Sequence, residues 1–149
     1  MKALYFEISI HAPIHQVYKK MLGKGTFEQW TSEFSPTSRY EGNWGKGSNM
    51  LFLSDEANGK VCGMISKVKD NQQDKFVSLE HIGLYEDGRE LMEGEKVDPF
   101  SGALEEYTFS ETVNGTFLKI RMDVVPEWEQ YFMEAWPRAL KHLKNICED

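Results

Sequence analysis

Apolar and polar side chains alternate at the start of the chain, which is typical of a β-strand with one buried face. The apolar positions of this strand are Leu4, Phe6, Ile8 and Ile10. Pro13 then ends the alternation, and residues 13–22 carry apolar side chains at helical spacing. Pro13 suits the first turn of a helix, where its missing N–H costs nothing. A second short helix is predicted from Thr26, so two short helices follow the first strand.

From residue 39 the period changes to two, and a series of strands is predicted. These strands are 39–42, 49–54, 60–69, 75–85, 103–111 and 116–125. Asn114-Gly115 is the strongest short hairpin signal in the chain. Residues 89–102 have no regular pattern, so we predict a mobile loop with a little strand at its start. Consecutive hairpins favour an antiparallel sheet.

The last quarter of the chain, 126–149, is predicted to be one long amphipathic helix. Its apolar stripe is formed by Trp128, Phe132, Ala135, Ala139, Leu143 and Ile146. Pro137 lies inside this helix, so we expect a bend near Trp136 and a shallow place over the sheet. Because the helix cannot bury its stripe alone, we predict a single α+β domain over residues 1–149. A curved antiparallel sheet of about seven strands would surround the C-terminal helix.

The alternation also predicts which strand residues face the helix. The inward set is Met50, Phe52, Cys62, Met64, Ser66, Val68, Val77, Leu79, His81, Tyr107, Phe109, Leu118, Ile120, Met122 and Val124. This interior is rich in methionine and aromatic side chains, which can adapt to varied apolar guests. The same side chains could form a filled core, which periodicity alone favours because apolar stripes are usually core, and both interpretations stay open.

Composition and charge narrow the classes of function. The chain has 149 residues, is 40% hydrophobic and has a net charge of −7. No basic stripe is present to bind nucleic acid through its phosphates. No apolar run approaches the roughly 20 residues of a membrane span, and no signal peptide is recognisable, so we expect a cytoplasmic protein. We expect Cys62 to be a small core residue and Cys147 an incidental thiol, without a disulfide.

His81 is the main candidate for chemistry, because an inward histidine could act as an acid or base or orient the polar end of a ligand. A buried, hydrogen-bonded structural histidine is the alternative. Glu80 faces the other side of the strand, so the two cannot pair through it. No metal-ligand or phosphate-loop pattern occurs, and no catalytic residue, cofactor or metal is assigned.

Several short motifs occur together along nearly the whole chain. They are Ile10-His11-Ala12-Pro13 with Val17-Tyr18, Phe27-Glu28-Gln29-Trp30-Thr31, the turn at 40–48, Ser78-Leu79-Glu80-His81-Ile82-Gly83, Glu106-Tyr107-Thr108-Phe109, and 136–143. Their order resembles the START-like superfamily, also called SRPBCC or Bet v 1-like. The closest likeness is the branch related to the activator of the heat-shock-protein-ninety ATPase. This resemblance implies a helix-grip fold of seven antiparallel strands that commonly holds apolar ligands between sheet and helix.

We therefore predict that a small apolar molecule, a lipid or an aromatic metabolite, binds between the sheet and the C-terminal helix. The predicted lining is Trp30, Met50, Phe52, Met64, His81, Tyr107, Met122, Phe132 and Trp136. His81 and Tyr107 would orient the ligand. One alternative is a cyclase- or hydrolase-type enzyme with His81 as general base, and another is a co-chaperone-like interaction module with a filled core. No nucleic-acid partner is expected, and a weak homodimer stays open.

Overall fold

The protein is an antiparallel sheet packed against a long C-terminal helix. The computed structural model describes all residues from Met1 to Asp149. The strands are β1 (Lys2–Ile10), β2 (Arg39–Glu41), β3 (Asn49–Asp55), β4 (Val61–Gln72), β5 (Phe76–Glu86), β6 (Arg89–Leu91), β7 (Leu104–Thr112) and β8 (Gly115–Val124). The helices are α1 (Ile14–Leu22), α2 (Lys24–Trp30) and α3 (Glu129–Glu148), with 3-10 turns at Thr31–Glu33 and Pro126–Trp128.

The strand order is β1-β8-β7-β5-β4-β3-β2, and the short strand β6 pairs with β5. Every pairing is antiparallel. This confirms the predicted α+β class, the two short helices after β1 and the sheet of hairpins. The eighth strand is β6, which occupies the start of the segment predicted as a loop. No helix is both long and apolar enough to cross a lipid bilayer.

The β7–β8 hairpin closes at the predicted Asn114-Gly115 turn, where Thr112 pairs with Gly115. A Cβ atom at Gly115 would lie 2.1 Å from the carbonyl oxygen of Ile10. Only glycine therefore allows the end of β1 to approach the hairpin this closely. Thr116 also holds β8 to the segment after β1, because its hydroxyl donates a hydrogen bond to the carbonyl of Ala12 at 2.8 Å.

The inward faces of β5, β7 and β8 follow the predicted alternation, but β4 also buries a residue on its other face. Ile65 is buried although we predicted it to face outward. Residues 89–102 cover it, because Leu91, Met92 and Ile65 all approach the position of a Cβ on Gly83. Val97 of the same segment is also buried. The start of this segment therefore packs against the sheet at Gly83 and Ile65.

The apolar stripe of α3 begins one turn later than predicted. Trp128 is 50% exposed, because it lies in the 3-10 turn before α3 and its side chain does not follow the helical stripe. Ala135, Ala139 and Leu143 are buried, and so is Trp136. The helix continues through Pro137, which lies on the exposed side.

The two cysteines exchange the roles that we predicted. Both are free thiols, but Cys147 of α3 is the buried one and Cys62 of β4 is half-buried. Cys62 lies beside the turn of the β3–β4 hairpin, where it pairs with Ser54, and Cys147 belongs to the main core. Burial raises the pKa of Cys147 to about 11.

Candidate functional site

Four polar side chains meet on the inward face of the sheet. The hydroxyl oxygen of Ser66 lies 2.6 Å from Nδ1 of His81. Nε2 of His81 lies 3.5 Å from Oε1 of Glu105. The hydroxyl of Tyr107 donates a hydrogen bond to Oε2 of the same carboxylate. We call Ser66, His81, Glu105 and Tyr107 the polar network, because they form a continuous chain across β4, β5 and β7.

Strand register brings these four side chains together. Ser66 of β4 pairs directly with His81 of β5, so both side chains leave the sheet on the same face. On β7, Glu105 and Tyr107 are two residues apart and share that face. The backbone of His81 is held on its other side, since its N–H donates to Ala103 at 2.8 Å and its carbonyl accepts from Gly102 at 2.9 Å.

The network is largely enclosed. Ser66 is fully buried and Tyr107 is 2% exposed, and the side chains of His81 and Glu105 are 12% and 18% exposed. Burial raises the pKa of Tyr107 well above its ordinary value, and the charge and hydrogen bond of Glu105 raise it further. Tyr107 therefore stays protonated at neutral pH and donates its hydrogen bond to Glu105.

The geometry also assigns the proton of His81. A carboxylate can only accept hydrogen bonds, so the tautomer with a proton on Nε2 is favoured opposite Glu105. Nδ1 is then an acceptor, and the Ser66 hydroxyl donates to it. Serine, histidine and glutamate occur here in the order of a nucleophile, its base and an orienting carboxylate. However, Ser66 has no exposed surface, so in this conformation the arrangement suits binding and orientation rather than attack on a substrate.

An aromatic wall adjoins the network at Tyr107. The ring of Trp136 has its centroid 6.3 Å from that of Tyr107, 5.8 Å from that of Trp30 and 5.0 Å from that of Phe34. Its Nε1 donates to the sulfur of Met122 at 2.9 Å. Trp136 therefore links α3, α2 and the sheet at the centre of the interior.

The nine residues predicted to line a ligand site fall into two groups. Trp30, Met50, Tyr107, Met122 and Trp136 are buried, whereas Phe52, Met64, His81 and Phe132 are half-buried. Met50 pairs with Ser66, and Phe52 pairs with Met64 one step further along the same two strands. His81 and Tyr107 belong to the polar network, and the structure places Met50, Met122 and Trp136 beside it. Phe52 instead packs in a neighbouring aromatic group with Phe27 and Trp44. Whether these residues bind a ligand stays a prediction.

Sequence reasoning did not include Glu105, Ser66 or Phe34 in the site. The inward position of Glu105 could have been predicted, because it lies two residues before the inward Tyr107 on a strand. Ser66 was on the predicted inward face of β4 but was not linked to His81. The pairing that links them depends on strand register, which the alternation of side chains does not give.

Two surface clefts lie away from the polar network. One, of about 420 Å³, lies between the β3–β4 hairpin and the β5–β6 turn and is lined mainly by charged side chains such as Glu56, Glu86 and Lys96. The other, of about 340 Å³, lies between α2 and the edge strand β2. None of the nine predicted residues lines either cleft. A ligand site beside the network would therefore lie outside both of these clefts.

Comparison with known proteins gives the family. Residues 11–148 match the family described as activator of Hsp90 ATPase homolog 1-like protein. This match spans nearly the whole chain, so the chain belongs to that family, which has the START-like fold predicted from its motifs. No functionally curated protein matches the chain.

Solved structures share the fold at low sequence identity. The Aha1 dimer from Colwellia psychrerythraea, solved in solution, is 17% identical with a TM-score of 0.71, and the match covers 99% of this chain and 97% of that one. The AHSA1-like protein from Aeromonas hydrophila is 14% identical with a TM-score of 0.69, over 97% of this chain and 90% of that one. Protein MLL2253 from Mesorhizobium loti is 15% identical with a TM-score of 0.68, over 97% and 95%. These likenesses establish the helix-grip architecture.

Proposed function

We propose that the protein binds a small, largely apolar molecule between the sheet and α3, with the polar network holding its polar end. The observation that supports this most is the network itself, four linked polar side chains set into an apolar, aromatic interior. Burying polar groups costs free energy that an apolar core of the same shape would avoid. A functional use for the network therefore explains its position better than packing does.

Access would run along a line of aromatic rings. Phe132 and Phe34 are half-buried near the start of α3, with ring centroids 6.2 Å apart. Phe34 contacts Trp136, which in turn contacts Tyr107 of the network. In the proposal, Phe34 and Phe132 turn outward to admit the ligand, because half-buried rings have fewer packing contacts to lose than buried ones. Burial of the ligand's apolar part would supply most of the binding free energy.

The thermal unfolding midpoint tests this proposal against a set of apolar metabolites. A ligand that binds only the folded state at about 100 times its Kd adds about 2.7 kcal/mol of stability and raises the midpoint. We expect at least one compound to do so in the wild type and the Tyr5→Phe control, and to do so less in Tyr107→Phe. Tyr5 is a matched control because its side chain is 71% exposed. The proposal fails if no compound raises the midpoint, or if both variants respond alike.

A second candidate is an interaction module whose partner is another copy of this chain. Trp128 and Tyr131 are exposed side by side at the start of α3, with ring centroids 5.9 Å apart. Exposed aromatic pairs are enriched at protein interfaces, and the relative from Colwellia psychrerythraea is a dimer. Sedimentation equilibrium tests the candidate: a weak dimer that Trp128→Ser abolishes supports it, and a monomer at all concentrations rejects it.

We also propose that the protein acts in the cytoplasm. Its two cysteines are free thiols, and one of them is buried in the main core. A reducing compartment keeps such thiols unpaired. Fractionation of cells that produce the protein, followed by immunodetection, tests this assignment.

A further inference from the structure

The hydrogen-bond donors of the polar network are all directed at other members of the network. In the tautomer of His81 with its proton on Nε2, the Ser66 hydroxyl donates to Nδ1, and Tyr107 donates to Glu105. The proton on Nε2 of His81 faces Glu105 across 3.5 Å. Oxygen lone pairs on Ser66, Glu105 and Tyr107 are what remain for a ligand. The network can therefore accept hydrogen bonds from a ligand but has no donor left to offer.

The negative charge at the network also favours a ligand group that donates hydrogen bonds and carries a positive charge. Glu105 brings a carboxylate to the inward face, and the side chains that face inward with it from β4, β5 and β8 include no lysine or arginine. The basic group nearest Glu105 is the imidazole of His81. Electrostatic interactions are stronger in such an enclosed place than in water. A bound carboxylate would meet a like charge there, whereas a bound cation would meet an opposite one.

The aromatic wall adds a third preference. The rings of Tyr107 and Trp136 adjoin the network, and aromatic faces attract cations through their quadrupoles. A neutral or anionic head group gains nothing comparable from these rings.

From these three features we infer that the interior site takes an apolar amine, with its ammonium group at Glu105, in preference to a carboxylic acid of the same size. The inference rests on the proposed function and adds the chemical class of the ligand. The Tyr107 oxygen, which lies at the same carboxylate, would accept a further ammonium hydrogen, and the aromatic wall would contact the apolar part.

Calorimetric titration with decylamine, decanol and decanoate at neutral pH tests this inference, because the three probes share one chain and differ in their head groups. We expect decylamine to bind at least about tenfold more tightly than decanoate, with decanol between them. Glu105→Gln should weaken decylamine binding about tenfold and leave decanol binding nearly unchanged. Glu106→Gln is the matched control, since Glu106 adjoins Glu105 but faces the outer side, where Ser78 donates to it.

Each outcome separates this inference from the proposed function. Equal affinity for the three probes, or tighter binding of decanoate, overturns the amine preference while leaving the interior site. Absence of binding by all three at concentrations that detect millimolar affinity counts against both. If Glu105→Gln fails to fold, the wild-type comparison of the three head groups decides the inference by itself.

Discussion

The Ser66 hydroxyl on β4 lies 2.6 Å from Nδ1 of His81 on β5, on the inward face of the sheet. Both residues are directly paired in the strand register, next to an irregularity in the pairing of β4 and β5. It satisfies the buried nitrogen of His81 and leaves Nε2 free to face Glu105. The pair therefore fixes the orientation of the imidazole on which the rest of the polar network depends.

Removing the Ser66 hydroxyl is expected to destabilise the fold. In Ser66→Ala, Nδ1 of His81 is left without a partner in a buried place, which costs about 1–3 kcal/mol. Ser110→Ala is the control, because Ser110 is exposed on β7 and its loss should change stability by about 0.5 kcal/mol or less. Urea unfolding measures both. Equal free energies of unfolding for the two variants would contradict the structural role of this hydrogen bond.

Trp136 should contribute far more to stability than Trp128. Trp136 is 2% exposed and contacts rings from α2 and the sheet, so Trp136→Ala should lower the free energy of unfolding by about 3–5 kcal/mol. Trp128 is half-exposed, and Trp128→Ala should cost about 1 kcal/mol or less. Chemical unfolding of the two variants gives both values. A larger loss for Trp128→Ala would show that the assignment of the core is wrong.

Tyr107 should make stability fall at alkaline pH. Its pKa in the folded protein is raised, so the folded state keeps the proton at pH values where the unfolded chain loses it. The contribution is fully present below the ordinary tyrosine pKa of about 10, and it is lost as pH rises from there through the folded pKa, by up to about 1.4 kcal/mol per pH unit.

Unfolding of the wild type, Tyr107→Phe and Tyr5→Phe at about pH 8 and about pH 11 measures this effect on either side of the ordinary pKa. Tyr107→Phe should lose less stability between the two pH values than the wild type. Tyr5→Phe should lose as much as the wild type. Parallel losses in all three proteins would exclude Tyr107 as the source.

The two thiols should differ in reactivity. The pKa of Cys147 is about 11 and the residue is buried, so very little thiolate is present at mildly alkaline pH. Cys62 is half-buried and its pKa is raised mainly by burial and by Glu56. We expect iodoacetamide to modify Cys62 first, and Cys147 only after denaturant unfolds the chain. Mass spectrometry of peptides measures both rates, and equal rates in the folded protein would contradict the core position of Cys147.

The periodicity of the sequence predicted most of the fold. Alternation gives the strands and their buried faces directly, as the burial of Leu118, Ile120 and Met122 on β8 shows. It did not predict the cover over Ile65, because residues 89–102 have no periodic pattern and their packing depends on tertiary contacts. It also misplaced Trp128, because a 3-10 turn and an α-helix differ in period and the sequence did not reveal where one becomes the other.

The candidate site was predictable only in part. His81 and Tyr107 could be placed on the inward face from alternation. Their connection through Glu105 depends on which residues of β5 and β7 lie opposite each other, and on the irregularity beside Ile82 that the pairing of β4 and β5 contains. Both the residues that lie opposite each other and this irregularity are properties of strand register. Local sequence does not determine register when several alignments bury the same faces.

The most direct test of the interior ligand site is a map of contacts between the protein and a bound apolar amine. Intermolecular nuclear Overhauser effects between decylamine and isotope-labelled protein would measure these contacts at saturation. We predict that the alkyl chain contacts Phe132 and Trp136 and that the methylene next to nitrogen contacts Tyr107. Contacts confined to exposed residues such as Trp128 and Tyr131, or no contacts at all, would contradict the account.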